Sequence, residues 1–237
     1  AAHAARKGTL YRHRILLLEQ PEKMNFIDVC RADGVEIICG ADVPTIESAM
    51  RAVDVVQIEW WHHPQMAAFL ADFPQIEMHL TLWAHVSGCY YPYIPPTFLR
   101  VPQRFIFTSP YSLDNPYWSA AERRWARENT SVVHSSGGFA AIQPHTERVH
   151  DDRFVVGYVG TQSYAKLHPD FVAYCARVSH IPGIEFVLVG DMTNAATIRA
   201  EAWAYGIEEK FRFVDYVSDV SAELAQMDVF GYLLNPT

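Results

Sequence analysis

The chain has 237 residues, half of them hydrophobic, 13% aromatic and 19% charged, a composition that excludes intrinsic disorder and suits one large or two small domains. Nineteen Lys and Arg residues against 27 Asp and Glu residues give a net charge of −8, which argues against a dedicated nucleic-acid-binding protein because such a protein needs a basic face. No apolar run approaches the roughly 20 residues that span a bilayer, so no transmembrane segment is expected.

Short apolar runs in the first half of the chain predict strands buried on both faces, since β-branched and aromatic residues in such runs are typical of parallel sheets. The runs cover residues 14–18, 35–39, 54–61, 78–85, 104–108 and 131–134. Residues 46–53 and 64–73 lie between them and predict helices. This alternation is typical of an α/β fold.

The pattern stops at residues 143–153, which we interpret as a linker, and restarts at Phe154. Strands are predicted at 154–159, 185–189, 210–213 and 228–234, and helices at 169–178, 195–205 and 220–226. The sequence therefore predicts two α/β domains, residues 1–142 and 154–237. Because no helix follows to cover the last strand, we expect the second domain to be truncated.

Polar residues and glycines follow the predicted strands of the second domain, where open α/β sheets bind their ligands. Gly160 would let a backbone approach a ligand closely, Thr161 offers a hydroxyl, and Lys166 could reach a phosphate. From the spacing alone, a plain turn with a solvated lysine is the favoured interpretation of these three residues. Asp191 could bind a sugar or cap a turn, and Tyr216 could stack on a base or pack in the core.

Two strand ends of the first domain carry further candidates. Glu59, Trp60 and Trp61 resemble a carbohydrate platform, in which rings stack on sugar C–H faces and a carboxylate accepts hydroxyl hydrogen bonds. The tryptophans could instead be wedged under the following helix. His85 ends the next strand and would be exposed to whatever binds there, although a lone histidine is more often structural.

The four cysteines, Cys30, Cys39, Cys89 and Cys175, form no C-x-x-C pair and fit no zinc pattern. The simplest interpretation is four free thiols in a reducing compartment, which favours the cytoplasm.

Several short segments follow one another in an order that is specific as a set, although none is specific alone. They are Asp54-Val-Val-Gln-Ile-Glu59, Trp83-Ala-His85, Phe107-Thr-Ser109, Val132-Val-His-Ser-Ser-Gly137, Phe154-Val-Val-Gly-Tyr-Val-Gly160, Val187-Leu-Val-Gly-Asp191, Phe211-Arg-Phe-Val-Asp-Tyr-Val217, Met227-Asp-Val-Phe230 and Leu233-Leu-Asn-Pro236. In this order, with Lys166 at the matching spacing, the chain resembles the retaining, family-4-like glycosyltransferases of the GT-B fold, also called glycosyl transferases group 1.

The resemblance implies two Rossmann-like domains with parallel sheets that face a cleft. It implies a hexosyltransferase-like enzyme that moves a sugar from a nucleotide-diphospho-sugar to a glycan, lipid or small-molecule acceptor, with retention. It further implies no metal and no cofactor besides that donor substrate, since basic groups and helix N-termini stabilise the leaving diphosphate. The enzyme would work in the cytoplasm or at the inner membrane surface, in an unknown oligomeric state.

The resemblance also implies roles for single residues. On the donor side, Gly160 and Thr161 would approach the diphosphate, Lys166 would be its cation, Asp191 would bind the donor, and Tyr216 and Val217 would flank the base. On the acceptor side, the residues would be Glu59, Trp60 and Trp61. His85 would contact the sugar or acceptor as the catalytic residue.

Three departures from the family pattern leave a second interpretation open. Thr161 stands where the family has an arginine, residues 19–22 replace a Gly-Gly loop, and a Glu-x7-Glu motif would come after Thr237. A non-catalytic GT-B-like protein or partner subunit that holds a nucleotide-sugar or glycan is therefore the alternative. An epimerase of the same fold is a weaker third option, because no catalytic carboxylates for it can be identified.

Overall fold

The computed structural model describes residue 8 and residues 10–135, 152–231 and 233. The chain divides into two compact units, Ala1–Ser136 and Gly137–Thr237. The predicted linker falls almost entirely outside the described residues, at 143–151, so its bounds and those of the predicted domains stay predictions.

The first unit contains two parallel sheets. Strands β1 (Arg14–Leu17) and β2 (Glu36–Cys39) pair with each other, and a four-stranded sheet has the order β3 (Val55–Trp60), β4 (His79–Ala84), β5 (Arg104–Phe107) and β6 (Ser131–Val132). The helices of this unit are α1 (Asn25–Ala32), α2 (Val43–Arg51), α3 (Pro64–Ala71) and α4 (Ala120–Asn129), with 3-10 turns at Phe98–Arg100 and Pro110–Asp114.

The second unit contains one four-stranded parallel sheet. Its strands are β7 (Phe154–Val159), β8 (Ile184–Val189), β9 (Phe211–Val214) and β10 (Val229–Phe230), in the order β10-β7-β8-β9. Its helices are α5 (Phe171–Val178), α6 (Ala195–Ala204) and α7 (Ser221–Leu224), with a 3-10 turn at Glu208–Lys210. The carboxyl ends of β7, β8 and β9 therefore lie side by side along one edge.

Every predicted strand is present, mostly shortened by one to three residues, and every recorded strand pair is parallel. The last strand is the largest difference: two residues form β10, while residues 232 and 234 of the expected strand lie outside the described residues. Two helices, α1 and α4, were not predicted. For α4 the sequence does carry a signal, a capping box in which Ser119 and Glu122 satisfy each other's backbone N–H groups.

The prediction of strands buried on both faces holds for β8 and fails for β3. Four of the last five residues of β8 are at most 2% exposed. In β3, Ile58 and Trp60 point into the core, whereas Gln57 and Glu59 point to solvent. This alternation puts polar side chains on one open face of the β3–β4 pair, and it positions the first candidate site.

Candidate functional sites

A short carboxylate–imidazole contact lies at the carboxyl ends of β3 and β4. The Nε2 atom of His85 is 2.6 Å from Oε2 of Glu59, and Nε2 of Gln57 donates to the other carboxylate oxygen at 2.5 Å. Because an ionised carboxylate only accepts hydrogen bonds, Nε2 of His85 carries the proton. Glu59 is thus held from two sides, while 45% of its side chain stays exposed and each oxygen retains a free lone pair.

The imidazole of His85 is enclosed rather than exposed. Only 7% of its side chain is accessible, because the ring of Trp61 stacks on it at 3.9 Å between centroids and the ring of Trp83 lies 5.2 Å away. Among the described residues, Nδ1 of His85 and Nε1 of Trp83 are buried without a hydrogen-bond partner. The geometry therefore presents the carboxylate of Glu59 to solvent and keeps His85 behind it.

The two tryptophans predicted to form one platform lie in different environments: Trp60 is in the core and Trp61 is at the surface. Trp60 is 7% exposed and packs against Phe98 in the core of the first unit. Trp61 is 61% exposed and covers His85. Next to it, His62 has a φ of 54°, a region that residues other than glycine rarely adopt, and its ring meets Tyr91 edge-on at 5.1 Å. Of the pair, Trp61 is the one available to a ligand.

The candidate donor residues share the carboxyl edge of the second sheet. Gly160 follows β7, Asp191 comes two residues after β8, and Tyr216 comes two residues after β9. The backbones at Gly160 and Gly190 are in direct contact, since a Cβ built at position 190 would lie 2.1 Å from the carbonyl oxygen of Gly160. This edge is therefore built from bare backbone, which allows a ligand to approach closely.

The fully buried side-chain amide of Gln162 holds the strand ends of that edge together. Gln162 is 0% exposed, and its Nε2 atom donates to the carbonyl oxygens of Leu188, Gly190 and Val214 at 3.2, 3.2 and 2.9 Å. Its backbone N–H donates to the carbonyl of Asp191 at 3.0 Å. Gln162 thus joins the ends of β8 and β9 to the loop after β7.

The loop after β7 presents Thr161 and Lys166 differently. The carbonyl of Thr161 accepts a hydrogen bond from Tyr158 Oη at 3.1 Å, so the backbone is fixed while the side chain remains partly exposed. Lys166 is exposed, and its ammonium group makes no ion pair within the described ranges. Buried Ser163 and Leu167 anchor the turn that carries it. Buried residues thus hold the loop in place, and they leave the ammonium group of Lys166 exposed to solvent.

The remaining donor candidates are partly used by the protein itself. The Oδ1 atom of Asp191 accepts from the backbone N–H and the hydroxyl of Thr193, at 2.9 and 2.5 Å. Val217 packs against a small core cluster of Val155, Val187 and Val189. Tyr216, by contrast, is 43% exposed. The turn-capping role considered for Asp191 is thus observed, and Tyr216 is the residue with an accessible ring.

Several residues of these sites were not singled out from the sequence. Gln57 and Trp83 could have been, because they precede Glu59 and His85 by two residues and so share their strand faces. Gln162 carries no local signal, since its three acceptors come from segments 26 to 52 residues away.

Other features of the described residues bear on cofactors and location. Within those ranges, no group of three His, Cys, Asp or Glu residues could hold a metal ion. No described helix has the length and hydropathy that crossing a bilayer requires. All four cysteines are free thiols, with Cys89 and Cys175 buried.

One known family model matches the second half of the chain. Residues 142–235 match the family model described as glycosyl transferases group 1. No curated protein sequence matches the chain.

Solved structures match over most of the chain. HepE from Anabaena, crystallised in complex with UDP, is 14% identical with a TM-score of 0.62 over 94% of this chain and 74% of its own. A glycosyltransferase from Rickettsia africae is 11% identical with a TM-score of 0.66, over 92% and 72%. Sucrose-phosphate synthase from Thermosynechococcus elongatus is 15% identical with a TM-score of 0.61, over 92% and 74%. At these identities the likeness concerns the fold, and it confirms the predicted GT-B architecture.

Proposed function

We propose that the chain is a glycosyltransferase that transfers a sugar from a nucleotide-diphospho-sugar to a hydroxyl of a sugar or glycan acceptor. The match of residues 142–235 to the group 1 family model and the GT-B fold support this proposal. The observation that carries the proposal is the bare backbone edge at Gly160 and Gly190 with the exposed Lys166 on the adjoining loop. We propose that this edge binds the donor.

The donor side supplies close approach and charge. The leaving group is the nucleoside diphosphate, which gains negative charge in the transition state. A fixed cation therefore stabilises it more strongly in the transition state than in the ground state. Lys166 is free to take this role, and Tyr216 offers a ring face to the base. That HepE binds UDP supports a diphosphate ligand at this kind of fold. Metal independence and retention are proposed from the family resemblance.

On the acceptor side, we assign substrate contact to Glu59 rather than to His85. The carboxylate of Glu59 is exposed, has free lone pairs and is oriented by Gln57 and His85. A sugar hydroxyl can donate to it while the sugar ring lies against Trp61. His85, enclosed between two indole rings, acts as a positioning residue for that carboxylate.

One observation favours the alternative of a binding protein without turnover. Thr161 cannot supply the second positive charge that the family's arginine would bring, so the leaving diphosphate meets one cation fewer. A non-catalytic protein would bind the nucleotide-sugar, and it would release no nucleotide in the presence of an acceptor.

A two-step experiment tests the proposal. A thermal-shift screen with UDP-, GDP- and ADP-sugars should raise the unfolding midpoint with at least one donor, since binding to the native state stabilises it. The best donor is then incubated with an acceptor panel, and release of nucleoside diphosphate is followed. Stabilisation with release supports transfer, stabilisation without release supports the binding protein, and no stabilisation by any donor contradicts both.

We propose a location in the cytoplasm or at the inner face of the membrane. The four free cysteines support a reducing compartment, since paired disulfides are the rule in oxidising ones.

A further inference from the structure

Five exposed tyrosines gather on two neighbouring loops of the first unit, and we call them the tyrosine surface. They are Tyr90, Tyr91 and Tyr93 on the loop after β4, and Tyr111 and Tyr117 around the 3-10 turn before α4. Each is between 50% and 77% exposed. Large aromatic side chains in such a cluster mark a binding surface more often than single exposed ones do.

The tyrosine surface is held rigidly from beneath. Asn115, which is fully buried, donates to the carbonyl of Gly88 at 2.8 Å, and Trp118 donates to the carbonyl of Ile94 at the same distance. These bonds join the first loop to the second on both sides of Tyr90–Tyr93. Cys89 and Ile94, which flank Tyr90–Tyr93, are each 2% exposed. The tyrosines are therefore exposed because their buried neighbours fix them there, and a rigid surface loses little entropy when it binds.

The rings form a continuous series that leads to the Glu59 site. The distances between ring centroids are 4.6 Å for Tyr117 and Tyr93, 6.4 Å for Tyr93 and Tyr91, and 5.1 Å for Tyr91 and His62. Each pair packs edge-on. His62 follows Trp61, which covers the His85–Glu59 pair. The neighbouring Tyr93 hydroxyl raises the pKa of the Tyr117 phenol, which is therefore protonated near neutral pH.

The chemistry of the surface selects one class of ligand. Residues 86–99 contain no charged side chain, and Asp114 is the single charged residue in 110–118. Two arginines border the second segment, but both are engaged by it: Arg123 donates to the carbonyls of Asn115 and Trp118, and Arg127 pairs with Asp114. Neither segment itself supplies the cation that a phosphate-rich ligand needs. Ring faces carry negative π density that attracts the C–H groups of pyranose rings, and phenol hydroxyls can bond sugar hydroxyls.

We propose that the tyrosine surface binds a neutral oligosaccharide, namely the part of the acceptor glycan beyond the sugar that meets Glu59. This rests on the proposed glycosyl transfer and narrows its acceptor to an extended, uncharged glycan. An acceptor of a single sugar would leave the tyrosine surface without a ligand. A second copy of the chain or another protein on these rings is the competing occupant.

The experiment measures binding of full-length protein to a glycan array that carries neutral, sulfated, phosphorylated and sialylated oligosaccharides of one to six sugars. Wild type should bind neutral glycans, more tightly as their length grows. The triple variant Tyr91→Ala, Tyr93→Ala, Tyr117→Ala should abolish this length dependence, with each ring contributing about 2- to 12-fold. The single variant Tyr91→Ala, at the most exposed position, keeps the test available where the triple variant unfolds. Trp203→Ala, an exposed aromatic of the second unit, is the matched control and should change nothing.

Several results would overturn the inference: no binding of neutral glycans, binding of charged glycans alone, or affinity unchanged in the triple variant. Sedimentation supplies another, since a dimer of wild type that the triple variant dissociates would assign the surface to a second copy. Titration with nucleoside diphosphates separates the two proposals. If wild type binds nucleoside diphosphates but no glycan, this inference alone is overturned. If wild type binds no nucleoside diphosphate, the proposed function is overturned.

Discussion

The carbonyl oxygen of Gly160 occupies the space in which any side chain at position 190 would begin, 2.1 Å from an ideal Cβ there. Gly190 also has a φ of 138°, and its N–H donates to the carbonyl of Val214 at 3.0 Å. The neighbouring strand ends can therefore approach each other only because position 190 lacks a side chain, whereas a Cβ at position 160 would meet the hydroxyl of Tyr158 at 2.5 Å. The backbone packing therefore requires a glycine at position 190 of the Val187–Asp191 segment, whether or not a ligand binds.

Gly190→Ala should destabilise the second unit by about 2–6 kcal/mol, because overlap with backbone adds to an unfavourable φ. Gly206→Ala is the matched control: it has a φ of 67° and nothing within 4 Å of its Cβ, so we expect only about 1–2 kcal/mol. Urea unfolding measures both variants. Equal losses would show that the contact with Gly160 is relaxed easily.

Gln162→Leu should cost about 1–3 kcal/mol, since three carbonyl groups lose a shared donor at a buried site. We expect exposed Gln226→Leu to stay within about 0.5 kcal/mol. The loss should also weaken nucleoside diphosphate binding, because Gln162 holds the strand ends that form the proposed donor edge. A stable Gln162→Leu protein would mean that these strand ends are held by other contacts.

Much of the fold follows from local patterns, whereas the sites depend on contacts between distant segments. The apolar runs identified each strand. The polar-apolar alternation in residues 57–60 also indicates that Glu59 and Trp60 point to opposite faces of their strand. Position 162, however, reads as an ordinary loop glutamine until β8 and β9 are placed around it. The enclosure of His85 likewise depends on a contact that the sequence does not announce, the stacking of the Trp61 ring on the imidazole.

Glu59→Gln should lower kcat/KM for the acceptor about 10- to 150-fold, through loss of a charge-assisted hydrogen bond, and leave donor binding unchanged. His85→Ala should act through KM of the acceptor, with partial recovery in His85→Gln, because His85 orients the carboxylate. Steady-state kinetics at varied acceptor concentration separates the two effects. Glu77→Gln, an exposed carboxylate before β4, is the control. Normal acceptor kinetics in Glu59→Gln would remove Glu59 from the site.

Burial raises the pKa of the Cys175 thiol from 9.0 to about 12. Its raised folded pKa contributes stability that is complete below pH 9.0 and is lost as the pH rises towards 12, because only the unfolded thiol ionises in that window. Between about pH 8 and 10.5, wild type should therefore lose more unfolding free energy than Cys175→Ala. Cys30→Ala, at a partly exposed thiol, should behave like wild type. Parallel curves for wild type and Cys175→Ala would contradict the role of burial.

The account depends above all on a diphosphate at the edge formed by Gly160 and Gly190, with Lys166 as its cation. Calorimetric titration of wild type and Lys166→Ala with UDP, GDP and ADP and with their nucleosides tests it, and Lys210→Ala is the control at the other lysine of this unit. We predict that Lys166→Ala weakens nucleoside diphosphate binding about 10- to 150-fold and leaves nucleoside binding unchanged. Equal losses for nucleoside and diphosphate, or no loss for either, would contradict the assignment of the donor to this edge.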